Sequence, residues 1–233
     1  MIVRAAVVPH PPLLVPALVA GPDDDVTAVR AACLAVVTRL TSAASRWVAV
    51  GAGPPGVLGP TAVGTFAGFG VDVTVRMSDA STGPPDRAMP LPGLITAWLR
   101  EQAGAREVTM HLVPPDLSPD DCFALGERLA EDPAPVGLLI AGDGSHRHGD
   151  QAPGRPDDRA GPFDDAVHTA LATADAKALQ ALDPHLADEL GAVGRAPWQV
   201  LAGALGQGRW TADAQLFVPF GVAYHLAVLD PMS

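Results

Sequence analysis

Basic side chains are scarce in this chain. Fifteen Lys and Arg, fourteen of them Arg, stand against 26 Asp and Glu, for a formal net charge of −11. A surface this acidic repels a nucleic-acid duplex and an anionic bilayer, so neither is expected as a partner. Cysteine is scarce too. Cys33 and Cys122 stand outside any CxxC or other ligand spacing, which excludes a thiolate metal knuckle and leaves two buried thiols in a reducing compartment. Long uninterrupted apolar runs are missing. Residues Met1 to Ala20 are apolar, but Pro9, His10, Pro11, Pro12 and Pro16 break any signal-peptide core. No other stretch approaches the roughly 18 apolar residues of a membrane span. A cytoplasmic protein with no membrane partner is expected. Charged residues are few, 18% against 48% hydrophobic, which argues against disorder. A length of 233 residues suits one domain with a two- or three-layer core.

Strand and helix patterns alternate along the chain. Val3–Val8, Trp47–Val50 and Val136–Ala141 are short apolar runs that predict buried strands, the last one central. Glu107–Val113 and the alternating Val71–Arg76 predict strands with one polar face. A helix is predicted over Asp23–Ala44, with Val26, Val29, Cys33, Val36, Val37 and Leu40 on one stripe and acids at its start. Further helices are predicted over Leu91–Ala103 and over Ser118–Glu131, the latter with Ser118 as N-cap and Pro119 first inside. Then come Phe163–Ala174, Ala176–Leu182, Pro184–Ala192 and Pro197–Gly206, and a closing strand over Phe217–Leu229. Arg147–Gly161 is polar, rich in Pro, Gly and Asp, and predicts a long surface loop. With no repeat and no dividing linker, the whole of residues 1–233 predicts a single α/β domain. Its central sheet is mostly parallel, with helices on both faces.

Two histidine motifs sit at predicted strand ends. Val8-Pro9-His10-Pro11-Pro12 follows the first strand, and Gly142-Asp143-Gly144-Ser145-His146-Arg147 follows the strand at Val136–Ala141. Side chains released at the ends of core strands are held rigidly above the sheet edge, and a neutral imidazole both ligates metals and exchanges protons near neutral pH. These motifs, with Gly194-Arg195-Ala196-Pro197-Trp198 and the closing Gly221-Val222-Ala223-Tyr224, resemble class III extradiol ring-cleavage dioxygenases of the LigB type and the related Memo-type proteins. The resemblance covers nearly the whole chain. It implies a LigB-like fold, a single Fe(II) held by two His and one carboxylate, and open positions for a catechol and dioxygen. It maps the first metal ligand onto His10 and the acid–base histidine onto His146. It also implies a homodimer or a small partner subunit.

The implied ligand set is incomplete. The loop that carries the second metal histidine in the family is Gly51-Ala52-Gly53-Pro54-Pro55 here, and the third ligand position holds Val193. One imidazole alone does not hold Fe(II) against its hydration shell. The helical spacing of His185, Glu189 and Val193 offers a shifted site of His10 with Glu189 or His185. Asp143, His146 and His148 with His10 form a second compensating set. Around these, Gly53 could offer a backbone N–H to an anion, and Arg147 or Arg195 could clamp a carboxylate. His111, His168 and His225 are expected to be structural or at the surface, and Trp47 and Trp198 to pack the core. Two functions follow. The first is a LigB-like protein that has lost two of three iron ligands and with them the dioxygenase reaction. Its catalytic-type residues His146 and Asp143, with His10, His148, Arg195 and Gly53, line a small-molecule cleft, or the chain serves as a protein-interaction scaffold. The second is an active non-haem Fe(II) dioxygenase working through the shifted site.

Overall fold

β7 (Val136–Ala141) is apolar along its whole length, and all six of its residues are buried. A strand covered on both faces has no wet side to alternate with, so its sequence reads as a continuous run. It is the central strand of a seven-stranded sheet in the order β3-β6-β2-β7-β1-β9-β8. Here β1 is Ile2–Val8, β2 is Arg46–Ala52, β3 is Gly56–Leu58, β6 is Glu107–Val113, β8 is Trp210–Phe217 and β9 is Tyr224–Pro231. The four inner strands β6, β2, β7 and β1 are parallel, while β3, β9 and β8 add on antiparallel. The computed structural model describes residues 1–232. Over these the chain is a single α/β domain with helices on both faces of the sheet.

The first face carries α1 (Asp24–Ala43) and α2 (Leu91–Ala103). Asp23 caps α1 by accepting the Val26 N–H at 2.9 Å, and the buried stripe is Val26, Val29, Cys33, Val36, Val37 and Leu40, the set that the period of 3.6 predicts. Among the described residues α1 is the one helix long and apolar enough to cross a bilayer; it packs here as a core helix. The second face carries α3 (Pro119–Ala130), α4 (Ala160–Ala172), α5 (Ala176–Gln180), α6 (Pro184–Leu190) and α7 (Arg195–Leu205). Ser118 caps α3 as expected, accepting the Asp121 N–H. α3 and α7 touch backbone to backbone: a β-carbon at Gly203 would collide with the Phe123 carbonyl.

Two sequence expectations are corrected. Phe217–Leu229 is not one strand. Pro219 lacks a donor, and Phe220 (φ 55°) and Gly221 (φ 71°) turn left-handed, so the chain reverses there and β8 pairs antiparallel with β9. Val71–Arg76 forms a strand only over β5 (Thr74–Arg76), paired with β4 (Val63–Thr65) in a separate two-stranded sheet. The strand expected at Trp47–Val50 runs on to Ala52.

Topology then positions the crevice. From β1 the chain moves to the first face, through α1. From β7 it moves to the second face, to α4 and the helices after it. Adjacent parallel strands whose outgoing loops part to opposite faces create a cleft at their carboxyl ends. The β8–β9 turn lies at the same edge, because β9 runs antiparallel to β1.

Candidate functional site

The register of β1 and β7 pairs Val8 with Ala141. Two residues further on, His10 and Asp143 therefore leave the sheet at the same height. Gly142 extends the ladder by donating its N–H to Val8 O at 3.0 Å. The Asp143 carboxylate accepts the His10 backbone N–H at 2.8 Å, and its Oδ1 lies 3.7 Å from His10 Nδ1. His10 is buried at 6% exposure and its Nδ1 has no hydrogen-bond partner. A buried imidazole nitrogen beside a carboxylate, left unpaired, is a costly arrangement.

Tyr224, at the start of β9, and Cys33, on α1, lie close enough to feel the Asp143 charge. Burial, reinforced by Asp143, pushes the Tyr224 phenol and the Cys33 thiol well above their ordinary ranges. Both stay neutral at any physiological pH, so the Tyr224 hydroxyl keeps its proton as a donor.

His146 sits on the loop after β7. Its Nδ1 lies 3.2 Å from Gly191 O. A carbonyl can only accept, so Nδ1 carries the proton of this contact, and in the neutral ring Nε2 is the acceptor. The ring is hemmed in by glycines. Gly191 is left-handed (φ 67°) and would clash with the ring if it bore a β-carbon, and a β-carbon at Gly154 would lie 2.6 Å from Cδ2 and 2.9 Å from Nε2.

On the other side of the same loop is a second histidine–carboxylate network. Asp164, on α4, is fully buried. Its Oδ1 meets His225 Nε2 at 2.8 Å and its Oδ2 meets His148 Nε2 at 2.7 Å. The Ser145 N–H adds a third donor at 3.2 Å. Both imidazoles thus donate through Nε2 to one carboxylate, which satisfies a charge that would be prohibitive alone. His225 lies against Trp198, ring centroids 5.2 Å apart and edge to face, and its Nδ1 has no partner. Sequence reasoning did not single out Asp164 and placed His225 among structural or surface histidines. The missed signal was positional: Ala160, Phe163, Asp164, Val167 and Leu171 share the buried stripe of α4, and an acid on an apolar stripe demands partners.

Several expected site residues lie elsewhere. Gly53 spends its N–H on Val113 O at 2.8 Å, as part of the continuing sheet edge, so it offers no donor to an anion. Arg195 is buried and binds the carbonyls of Leu117 (2.6 Å) and Pro115 and the side chain of Gln199 (2.8 Å). It pins the β6–α3 loop instead of clamping a ligand carboxylate, and burial lowers its pKa from the ordinary guanidinium range. His148 faces Asp164, as described. Glu189 is held at the surface by Arg159 at 2.7 Å, with His185 3.6 Å away on the same helix and 82% exposed. The shifted metal set of His10, Glu189 and His185 is not assembled: among the described residues no three His, Cys, Asp or Glu side chains converge as a metal site. Of the residues expected at the site, His10 and Asp143 are the pair brought into contact, with His146 on the loop that continues from Asp143.

Comparison with known proteins bears on the fold. No family model matches this sequence, and no curated protein sequence does. Among solved structures the chain is similar to the uncharacterized protein JW3007 from Escherichia coli K12, at 16% identity and a TM-score of 0.51, over 98% of this chain and 99% of that one. A likeness at that identity speaks for a shared fold across the whole chain and for nothing about chemistry.

Proposed function

We propose that this chain is a metal-independent small-molecule binding protein on a LigB-like frame, with the ligand seated at the β1/β7 crevice. The observation that carries this reading is the buried, unpartnered His10 Nδ1 beside the Asp143 carboxylate, at the topological switch point of the sheet. Fe(II), which the LigB resemblance implies, does not fit the donors present. Of the three implied ligand positions only His10 offers one; the others are the Gly53 loop, whose N–H is spent on Val113, and the exposed Val193.

The residues suit a ligand with hydrogen-bond donors. Asp143 accepts from a hydroxyl or amine, the neutral Tyr224 phenol stands near it, and His146 Nε2 accepts a proton. A net charge of −11 disfavours anionic ligands and leaves neutral or cationic ones, phenols and catechols included. Two reduced, buried thiols suit a cytoplasmic setting.

The test is a panel of phenols, catechols and aromatic amines screened by ligand-observed NMR and thermal shift. Saturable binding that is lost in Asp143→Asn and in His10→Ala, with the fold retained by circular dichroism, supports the reading. Stoichiometric iron after anaerobic loading that depends on His10, or ring-cleavage product from a catechol, overturns it.

A further inference from the structure

β8 is the outermost strand of the sheet, and its outer edge is unpaired among the described residues. Parity fixes which groups that edge presents. Met232 donates its N–H to Arg209 O at 2.8 Å. In the unbroken β8–β9 register the odd-numbered residues of β8 therefore bond to β9, and the even-numbered ones turn their N–H and C=O outward. Pro231, which has no N–H to give, stands opposite Trp210, as this parity requires. Trp210, Ala212, Ala214 and Leu216 thus present a row of donors and acceptors, none of which bonds to another part of the described chain. Natural edge strands are commonly kept from pairing by shortness, proline, lysine or a bulge. β8 has eight residues, no proline, no lysine and no register shift. On the second face α4 packs over β8 without bonding to its edge, and on the first face Thr211, Asp213 and Gln215 are exposed.

We propose that β8 pairs antiparallel with β8 of a second copy of this chain, about a two-fold axis at Asp213, so that the two sheets become one. This register sets Ala212 against Ala214 and Trp210 against Leu216 of the other copy. Every outward N–H and C=O of both strands is then used, whereas an axis at Ala212 or Ala214 leaves some unpaired. Charge supports the same register. Asp213 meets its counterpart at the axis, and each is neutralised by its own Arg39 at 2.6 Å. At either end Arg209 comes to Phe217 of the other copy, and Asp25 lies beside Phe217. Asp25 and Arg209 are both exposed, and neither has an ion-pair partner among the described residues. Each copy carries both halves of this ion pair, as a self-complementary contact demands. A net charge of −11 opposes self-contact over most of the remaining surface. The inference does not depend on the ligand proposed for His10 and Asp143.

The experiment is sedimentation velocity on the full chain and its variants, with folding checked by circular dichroism. At about 100 μM the native chain should sediment with twice the 23.9 kDa mass of one copy. Ala214→Pro removes one outward N–H and sets a ring on the edge while leaving the β8–β9 bonds in place. It should raise the dimer dissociation constant at least about 100-fold. Arg209→Glu should raise it about tenfold or more, and adding Asp25→Arg should recover most of that loss, a rescue that a merely destabilised fold would not give. The proposal fails if the native chain is monomeric at about 100 μM or if folded Ala214→Pro dimerises as the native chain does. It fails equally if Asp25→Arg does not restore Arg209→Glu, and this charge exchange decides alone should Ala214→Pro not fold.

Discussion

Asp143 accepts the backbone N–H of His10 at 2.8 Å, across 133 positions of sequence. The bond ties the loop after β7 to the loop after β1 at the point where they part to opposite faces of the sheet. It also fixes Asp143 Oδ1 at 3.7 Å from His10 Nδ1, so one carboxylate both joins the two loops and places its charge beside the imidazole.

Removing that carboxylate should cost stability as well as binding. Asp143→Ala leaves the His10 N–H without its acceptor, and a loss of about 1–2 kcal/mol is expected from urea unfolding. Asp143→Asn keeps an oxygen acceptor for that N–H and should lose less than half as much, while still abolishing ligand binding.

Asp164→Ala should be far more damaging. It strands His225, His148 and the Ser145 N–H, all of which now donate to one buried carboxylate. A loss of about 3–5 kcal/mol is expected, as for breaking other buried charged networks by one partner. Equilibrium unfolding in urea reads it directly, and a loss under 1 kcal/mol would contradict the network.

Gly203→Ala tests the close contact of α3 and α7. The added β-carbon meets the Phe123 carbonyl, which is backbone in the facing helix and cannot swing away. The two helices must separate, at about 1–3 kcal/mol, even though alanine is the better helix former. A thermal melt that shows stabilisation would refute the packing.

Glu101 gives a pH signature. Burial raises its pKa above the ordinary carboxylate value, outweighing the Arg76 N–H bond and the nearby Arg100 and Arg76 charges. A raised carboxylate pKa in the folded state means that the native protein favours the protonated form. The associated stability is full at low pH and is lost as pH rises through the folded value. Glu101→Gln removes the charge and keeps an acceptor for the Arg76 N–H, now 3.0 Å away. It should raise Tm by roughly 1–3 °C at pH 7, with the difference vanishing near pH 4. A variant that melts below the native chain at pH 7 would reverse the sign.

Much of the fold was legible because its signals are local. The continuous apolar run of Val136–Ala141, the stripe on α1 and the caps Asp23 and Ser118 each involve residues within a turn or two of one another. β8 was not legible. Its inward positions are Trp210, Ala212, Ala214 and Leu216, and two alanines dilute a period-2 pattern to the point where it disappears into the flanking turn. At the site, both histidine motifs were legible as strand-end features, but their partners were not. Arg195 and Gly53 looked like ligand groups because an arginine and a glycine turn carry the same sequence signature whether their donors face a cleft or a backbone carbonyl.

The sequence by itself determined which inner strands are buried, where the capped helices α1 and α3 start, and that His10 and His146 follow core strands. Only the tertiary structure decided that His10 faces Asp143, that His148 and His225 converge on Asp164, and that Glu189 is drawn to Arg159. The physical reason is range. Periodicity and capping act over a few residues, whereas a carboxylate's partners are set by which strands lie side by side, and sheet order is settled by the packing of two whole cores.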